Sequence, residues 1–198
     1  VLSLQYGPPV ENPNDRGFPL YEGESADQVF DKYIAAIGGA ERLAALSSFS
    51  ATGTYSGFDT AFSEVPVEIF AKAPNQAAMV VQMFNGPSYR TYDGRSGWMA
   101  GPDTPVPLLT LTGGNLGRAR AQAIVSFPGG IRGAFSQWRV GRTDIDDREV
   151  RIVQGSNGDE ALVNLYFDGP GMLVRMVTWT GTPAGIVPTQ VDYSDYRD

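Results

Sequence analysis

From Phe49 almost to the C-terminus, apolar and polar residues alternate in short runs broken by Gly, Pro, Asn and Asp. A period of two sends successive side chains to opposite faces of a pleated strand, so this alternation limits the chain to a mainly β architecture. The runs predict strands over 49–55, 65–71, 77–84, 89–92, 97–100, 135–143, 149–154, 161–167, 172–180 and 189–196. Asp93-Gly94 predicts a two-residue hairpin between the runs around Tyr92 and Trp98, and Asp168-Gly169-Pro170-Gly171 a reversal between Phe167 and Met172. Roughly eight to ten antiparallel strands with only two or three helices must cover an apolar face or curl on themselves. The expected fold is therefore mainly β (α+β), a curved antiparallel sheet or half-barrel whose concave face is covered by the helices.

Before Phe49 the period is 3.6. Ser25 and Gln28 form a capping box, and Val29, Phe30, Tyr33, Ile34 and Ile37 then line one face of a helix that stops at Gly38-Gly39. A second short helical turn runs from Ala40 to about Leu46. Asn115 is positioned to cap another helix through about Val125, with Leu116, Ala119, Ala123 and Ile124 inward. Residues 1–24 contain Pro8, Pro9, Pro13 and Pro19 with Gly7, Gly17 and Gly23, which prevents helix and interior strand. The organisation expected is an extended Pro/aromatic arm over 1–24 and a half-barrel domain over 25–198. An extended arm can lay Tyr6, Pro8, Pro9, Phe18 and Tyr21 on its own domain or across a partner, and these are the partner-contact candidates. The chain opens on Val1 and not on Met, which predicts that something upstream was removed: a signal sequence, a whole preceding domain, or a stretch cut away at an artificial boundary.

Composition narrows the chemistry. With 198 residues, 42% of them hydrophobic, the chain can build a sizeable core. Cys and His are both absent, which removes thiol nucleophiles, disulfides, covalently attached haem, Cys/His zinc sites and the Ser-His-Asp triad. A net charge of −7 opposes nucleic acid and anionic lipid surfaces as partners. The acidic run Asp144, Asp146, Asp147 and Glu149 lacks the glycine of a calcium loop and reads as a solvated hairpin tip. Glu64, Glu68 and Asp192 are the carboxylates that acid/base chemistry would have to bring together, but parity places Glu68 beside Phe70 on a wet face, opposite Val67 and Ile69. Trp98, Trp138 and Trp179 with Phe84 are candidates to line an apolar cavity, against the alternative that they simply fill the core. No cofactor, metal or catalytic residue is expected, and the chain reads as a binding or docking protein and not an enzyme.

Several segments carry a resemblance. Asp31-Lys32-Tyr33-Ile34-Ala35-Ala36-Ile37-Gly38-Gly39-Ala40-Glu41-Arg42-Leu43, Val67 to Asn75, Tyr92-Asp93-Gly94 with Gly97-Trp98, Leu165 to Asp168, and Asp192 to Arg197 together resemble the lipoprotein-sorting (LolA/LppX-like) half-barrel domains of bacterial periplasmic proteins. In particular they are similar to the version found C-terminal to the cytochrome in photosynthetic reaction-centre cytochrome c subunit-like proteins. The resemblance runs from about residue 25 to 197. It implies a periplasmic domain, peripheral to the membrane without spanning it, that docks as a non-catalytic accessory subunit on a membrane electron-transfer complex, at the cytochrome side of a photosynthetic reaction centre. Its partners would then be protein subunits, a c-type cytochrome among them, with the haem on another chain or ahead of Val1. The alternative it implies is a periplasmic carrier that binds a lipid or a lipoprotein acyl chain in the half-barrel.

Overall fold

The computed structural model describes residues 18–102, 104–157, 160–182 and 185–196. The element order is α1 (Ala26–Ala36), α2 (Ala40–Ala45), β1 (Ser48–Tyr55), β2 (Val65–Lys72), β3 (Gln76–Met83), β4 (Gly86–Tyr92), β5 (Gly97–Ala100), β6 (Leu109–Thr110), α3 (Gly113–Ser126), β7 (Gln137–Ile145), β8 (Arg148–Asn157), β9 (Glu160–Phe167), β10 (Leu173–Thr182) and β11 (Gly185–Asp192), with short 3-10 turns at Phe58–Thr60 and Pro128–Gly133. All strand pairings are antiparallel. The mainly β, antiparallel class is what the structure shows. Its strands form two open sheets, one of six in the order β1-β2-β3-β4-β5-β6 and one of five in the order β11-β10-β9-β8-β7. The chain divides into two compact units, Ile34–Ala134 and the pair of segments Val1–Tyr33 and Phe135–Asp198.

In the unit formed by Ile34–Ala134, the six-stranded sheet is a run of hairpins, and its register sets the two faces. Val65, Val67 and Val81 with Tyr55, Met79 and Met83 form one apolar cluster, and Tyr92, Leu111, Ala119 and Ala123 with Ala77, Met99 and Leu116 another. Both lie on the side where α3 packs over β3 and β4. The small residues Ala119 and Ala123 of α3 allow that helix to approach the sheet closely. Expected to be capped by Asn115, α3 begins three residues earlier with Thr112 as its N-cap residue, and no side chain caps it. Asn115 instead accepts a hydrogen bond from Arg118 Nη2 at 3.3 Å.

In the other unit, α1 lies on the five-stranded sheet. Its capping box is formed as expected, with the Ser25 amide donating to Gln28 Oε1 at 2.8 Å and the Gln28 amide donating to Ser25 Oγ at 3.2 Å. The helix buries Val29, Phe30 and Tyr33. Phe30, fully buried, meets Trp138 edge-on at 4.9 Å and Phe167 at 6.2 Å, and Tyr33 packs on Phe167 at 5.2 Å. The helix ends where Gly38 and Gly39 take positive φ of 111° and 87°, a conformation that costs glycine least. On β8, Gly155 makes room for an aromatic pair: a Cβ there would sit 2.6 Å from Phe135 and 2.8 Å from Trp138. The opposite face carries Val150, Ile152, Tyr166 and Val177, with Phe18 and Trp179 packed against them. A buried polar chain crosses this face, with Gln154 Nε2 donating to Asn164 Oδ1 at 3.0 Å.

Candidate functional site

An open hollow lies on the six-stranded sheet. Strand register aligns Ser50, Phe70, Ala78, Thr91 and Trp98 in one row across five strands, with Ser48, Lys72 and Gln76 in the next. These residues share a face because pairing in register keeps side-chain parity constant across a sheet. It is the face turned away from Ala77, Tyr92 and α3. All eight line an open trough of ≈ 760 Å³, within the range of small-molecule sites. Phe70 and Trp98 give it an apolar floor, and Phe70 remains 44% exposed.

The polar end of the trough is built by a turn. Asp93 Oδ1 accepts the amides of Ser96 at 2.7 Å and Arg95 at 2.8 Å, and these two backbone donors hold its carboxyl below the usual carboxylate range. Gln76 Nε2 donates to Asp93 O at 3.1 Å, and Tyr92 Oη donates to Gly94 O at 2.9 Å. The expected hairpin is thus present, but its tip is Gly94-Arg95: Asp93 N donates to Ser96 O at 3.0 Å, which makes Asp93 the first residue of the turn. Lys72 places one cation at the same end.

A charged cluster lies on the α3 side of this sheet. Tyr55 Oη donates to Asp59 Oδ1 at 2.8 Å, and both groups act electrostatically on Arg90 and Arg118. Burial depresses both guanidiniums, and with the nearby charge of Arg90 it holds Arg118 down to about 10. Burial first, and the bond to Asp59 second, push the Tyr55 hydroxyl up. Within the described residues Arg90 Nε is buried without a hydrogen-bond partner. Positive charge therefore exceeds negative here.

A third group ties the N-terminal part of the other unit together. Glu24 receives Lys32 Nζ at 2.5 Å and Arg151 Nε at 3.1 Å. Burial raises its pKa, but the two cations more than offset that and leave it lowered. Arg151 also bonds Glu149 at 2.5 Å and lies 4.6 Å above the Tyr21 ring. The network is structural in character, since each charge is answered by another.

The sequence candidates are dispersed. Tyr6, Pro8 and Pro9 lie outside the described residues. Phe18 and Tyr21 engage their own unit: Phe18 packs beside Gly141, where a Cβ would lie 2.0 Å from its ring, and the Tyr21 amide donates to Val140 O at 2.9 Å. Trp98 lines the trough. Phe84 is 74% exposed just beyond β3, because the hairpin turn lifts it off the sheet. Trp138 sits between Phe30 and Phe135, and Trp179 packs on the Val150 cluster, so neither reaches the trough. Glu68 is exposed, as its parity predicted, while Asp192 pairs with Arg175 at 2.5 Å in the other unit. Asp146 and Asp147 form the two-residue tip of the β7–β8 hairpin, both at positive φ. No group of three or more acidic residues able to hold a metal occurs among the described residues. The trough residues other than Trp98 were missed, although an aromatic Phe70 sharing parity with Glu68 was the available signal.

The site thus belongs to a small antiparallel β protein with an open, apolar-floored trough on one sheet. No family model and no curated protein matches the chain. Among solved structures it is similar to a LolA superfamily protein from Nitrosomonas europaea, at 15% identity and a TM-score of 0.37 over 88% of this chain and 94% of that one. It is also similar to a DUF1329 family protein from Desulfovibrio piger, at 9% identity and a TM-score of 0.34 over 81% of this chain and 82% of that one. No helix of the described residues is long and apolar enough to cross a membrane.

Proposed function

We propose that this protein is a non-enzymatic periplasmic binding protein whose trough takes the acyl chain of a lipid or lipidated protein. The observation that carries this reading is the ≈ 760 Å³ hollow with Phe70 and Trp98 on its floor and Lys72 at one end. A half-exposed Phe on an open sheet face gains roughly 25 cal/mol for each Å² that a ligand removes from water. Lys72 supplies the charge that an anionic head group needs, while Ser48, Ser50 and Thr91 offer hydroxyls along the edge. Support for the periplasm comes from the sequence resemblance carried by residues 25–197. Docking on a membrane electron-transfer complex rests on that same resemblance and on the arm. With Phe18 and Tyr21 engaged on their own sheet, no observation favours docking over carriage.

The test is saturable binding of a dansyl-labelled fatty acid, together with mass spectrometry of lipid extracted from the native protein. Stoichiometric lipid, lost in Phe70→Glu, is the expected result. An empty native protein that shows no saturable binding ends the proposal.

A further inference from the structure

Four strands form the sheet edges among the described residues, β1 and β6 in one sheet and β7 and β11 in the other. An open edge is a row of unpaired backbone donors and acceptors, and native proteins blunt such rows. Here β6 is only two residues long. Proline interrupts β11 at Pro188. On β7 the outer edge is occupied by Leu20 and Tyr21, through a bridge to Gly141 and the bond from Tyr21 N to Val140 O. The remaining edge, β1, has none of these devices. It is eight residues long, Ser48-Phe49-Ser50-Ala51-Thr52-Gly53-Thr54-Tyr55, without Pro or charge, and seven of the eight positions are exposed.

The register identifies which backbone groups face outward. Ala73 N donates to Ser47 O at 2.9 Å, and the β1–β2 ladder continues from that pair as Ser48↔Lys72. Hydrogen-bonded and non-bonded pairs alternate in an antiparallel ladder. Phe49, Ala51, Gly53 and Tyr55 therefore bond to β2, and Ser48, Ser50, Thr52 and Thr54 turn their N–H and C=O groups to the open edge. Pro66 agrees with this assignment, since it stands opposite Thr54, where no N–H is needed.

We propose that this edge pairs with its equivalent in a second copy of the chain, β1 to β1 in antiparallel register about Ala51. Ser48 then faces Thr54 and Ser50 faces Thr52 of the second copy, so all four outward residues bond, making about eight hydrogen bonds across the junction. Ala51 lies on the two-fold axis opposite itself. Phe49, whose ring packs on Phe127 at 5.6 Å and stays 38% exposed, falls opposite Gly53 of the second copy, where no side chain opposes it. Charge favours this edge over β7 and β11: a net charge of −7 makes two copies repel, whereas β1, unlike those two strands, carries no charge. The pairing is isologous and closes at a dimer.

Cysteine cross-linking of the full chain tests both the pairing and the register, because the protein has no Cys of its own. In Ala51→Cys the two thiols occupy a non-hydrogen-bonded pair about 4.5 Å apart at Cα, within disulfide reach. In Thr54→Cys the two thiols lie about 20 Å apart along the strands. A glutathione redox buffer is expected to yield a covalent dimer from Ala51→Cys and not from Thr54→Cys. Sedimentation analysis of Thr52→Pro, which removes an outward N–H and spares the bonds to β2, is expected to show at least about a tenfold weaker dimer. A wild-type chain that stays monomeric, or equal cross-linking of both Cys variants, overturns the proposal. So does failure of Ala51→Cys to cross-link. Should Thr52→Pro not fold, the Cys pair decides alone.

Discussion

Replacing Glu24 by Gln keeps the shape of the side chain and removes its charge, which isolates the ion pairs with Lys32 and Arg151. Lys32 is 59% exposed, so its pair with Glu24 contributes no more than about 1 kcal/mol. Arg151 and Glu24 are 24% and 9% exposed, and a charge-assisted bond in such a setting is worth about 1–2 kcal/mol. The expected loss at pH 7 is therefore about 2 kcal/mol. Glu24 has a lowered pKa in the folded protein, so its contribution is complete above the unfolded value of about 4.3 and fades as pH falls through the lower folded value. Urea unfolding of wild type and Glu24→Gln should differ most at pH 7 and converge in acid. In a Trp98→Phe background the fluorescence reports Trp138 and Trp179, both in the unit that contains Glu24. A difference below about 0.5 kcal/mol at pH 7, or one that is constant down to pH 3, would refute the assignment of Glu24 as a charged tie.

Other substitutions probe other parts of the structure. Phe30→Ala removes a fully buried ring that contacts Trp138 and Phe167 and should cost about 3–5 kcal/mol in the same fluorescence-detected unfolding. Gly141→Ala pushes a methyl group into Phe18. The expected outcome is faster hydrogen exchange at the Tyr21 amide, and unchanged protection would refute the packing. Asp59→Asn leaves the Tyr55 hydroxyl an acceptor but withdraws a carboxylate that acts on Arg90 and Arg118. It should destabilise by no more than about 1 kcal/mol and lower the Tyr55 pKa, as read by NMR titration of its ring carbon.

Local structure was legible where a short-range rule governs it. The capping box at Ser25, the helix end at Gly38-Gly39 and the Asp168–Gly171 reversal all follow from side chains within four residues of one another. Strand β11 was displaced, expected over 189–196 and found at Gly185–Asp192. Gly185 and Pro188 look like turn residues, but proline is tolerated where the strand is an edge. Beyond Asp192 the chain stays tied to β10, Tyr193 through its amide to Val174 O at 2.9 Å and Tyr196 through its hydroxyl to Leu173 O at 2.6 Å. Strand β6, two residues long, is too short for any periodicity to register. The trough was hidden for a different reason. Ser50, Phe70, Ala78, Thr91 and Trp98 are spread over 49 positions of sequence, and only the pairing register makes them neighbours.

The unit that holds α1 is assembled from both ends of the chain, and this shapes the order in which the protein can be made. Glu24 and its partner Arg151 are 127 residues apart, with the whole Ile34–Ala134 unit encoded between them. At ribosomal speeds of about 5–20 residues per second, the helix that carries Phe30 waits roughly ten seconds for the strands that bury it. During that interval the intervening hairpins, whose contacts are nearly all sequential, are free to fold. Helix α1 would thus emerge well before those burying strands and dock only when they arrive, and its apolar stripe is a stretch of nascent chain on which a chaperone has a long opportunity to act.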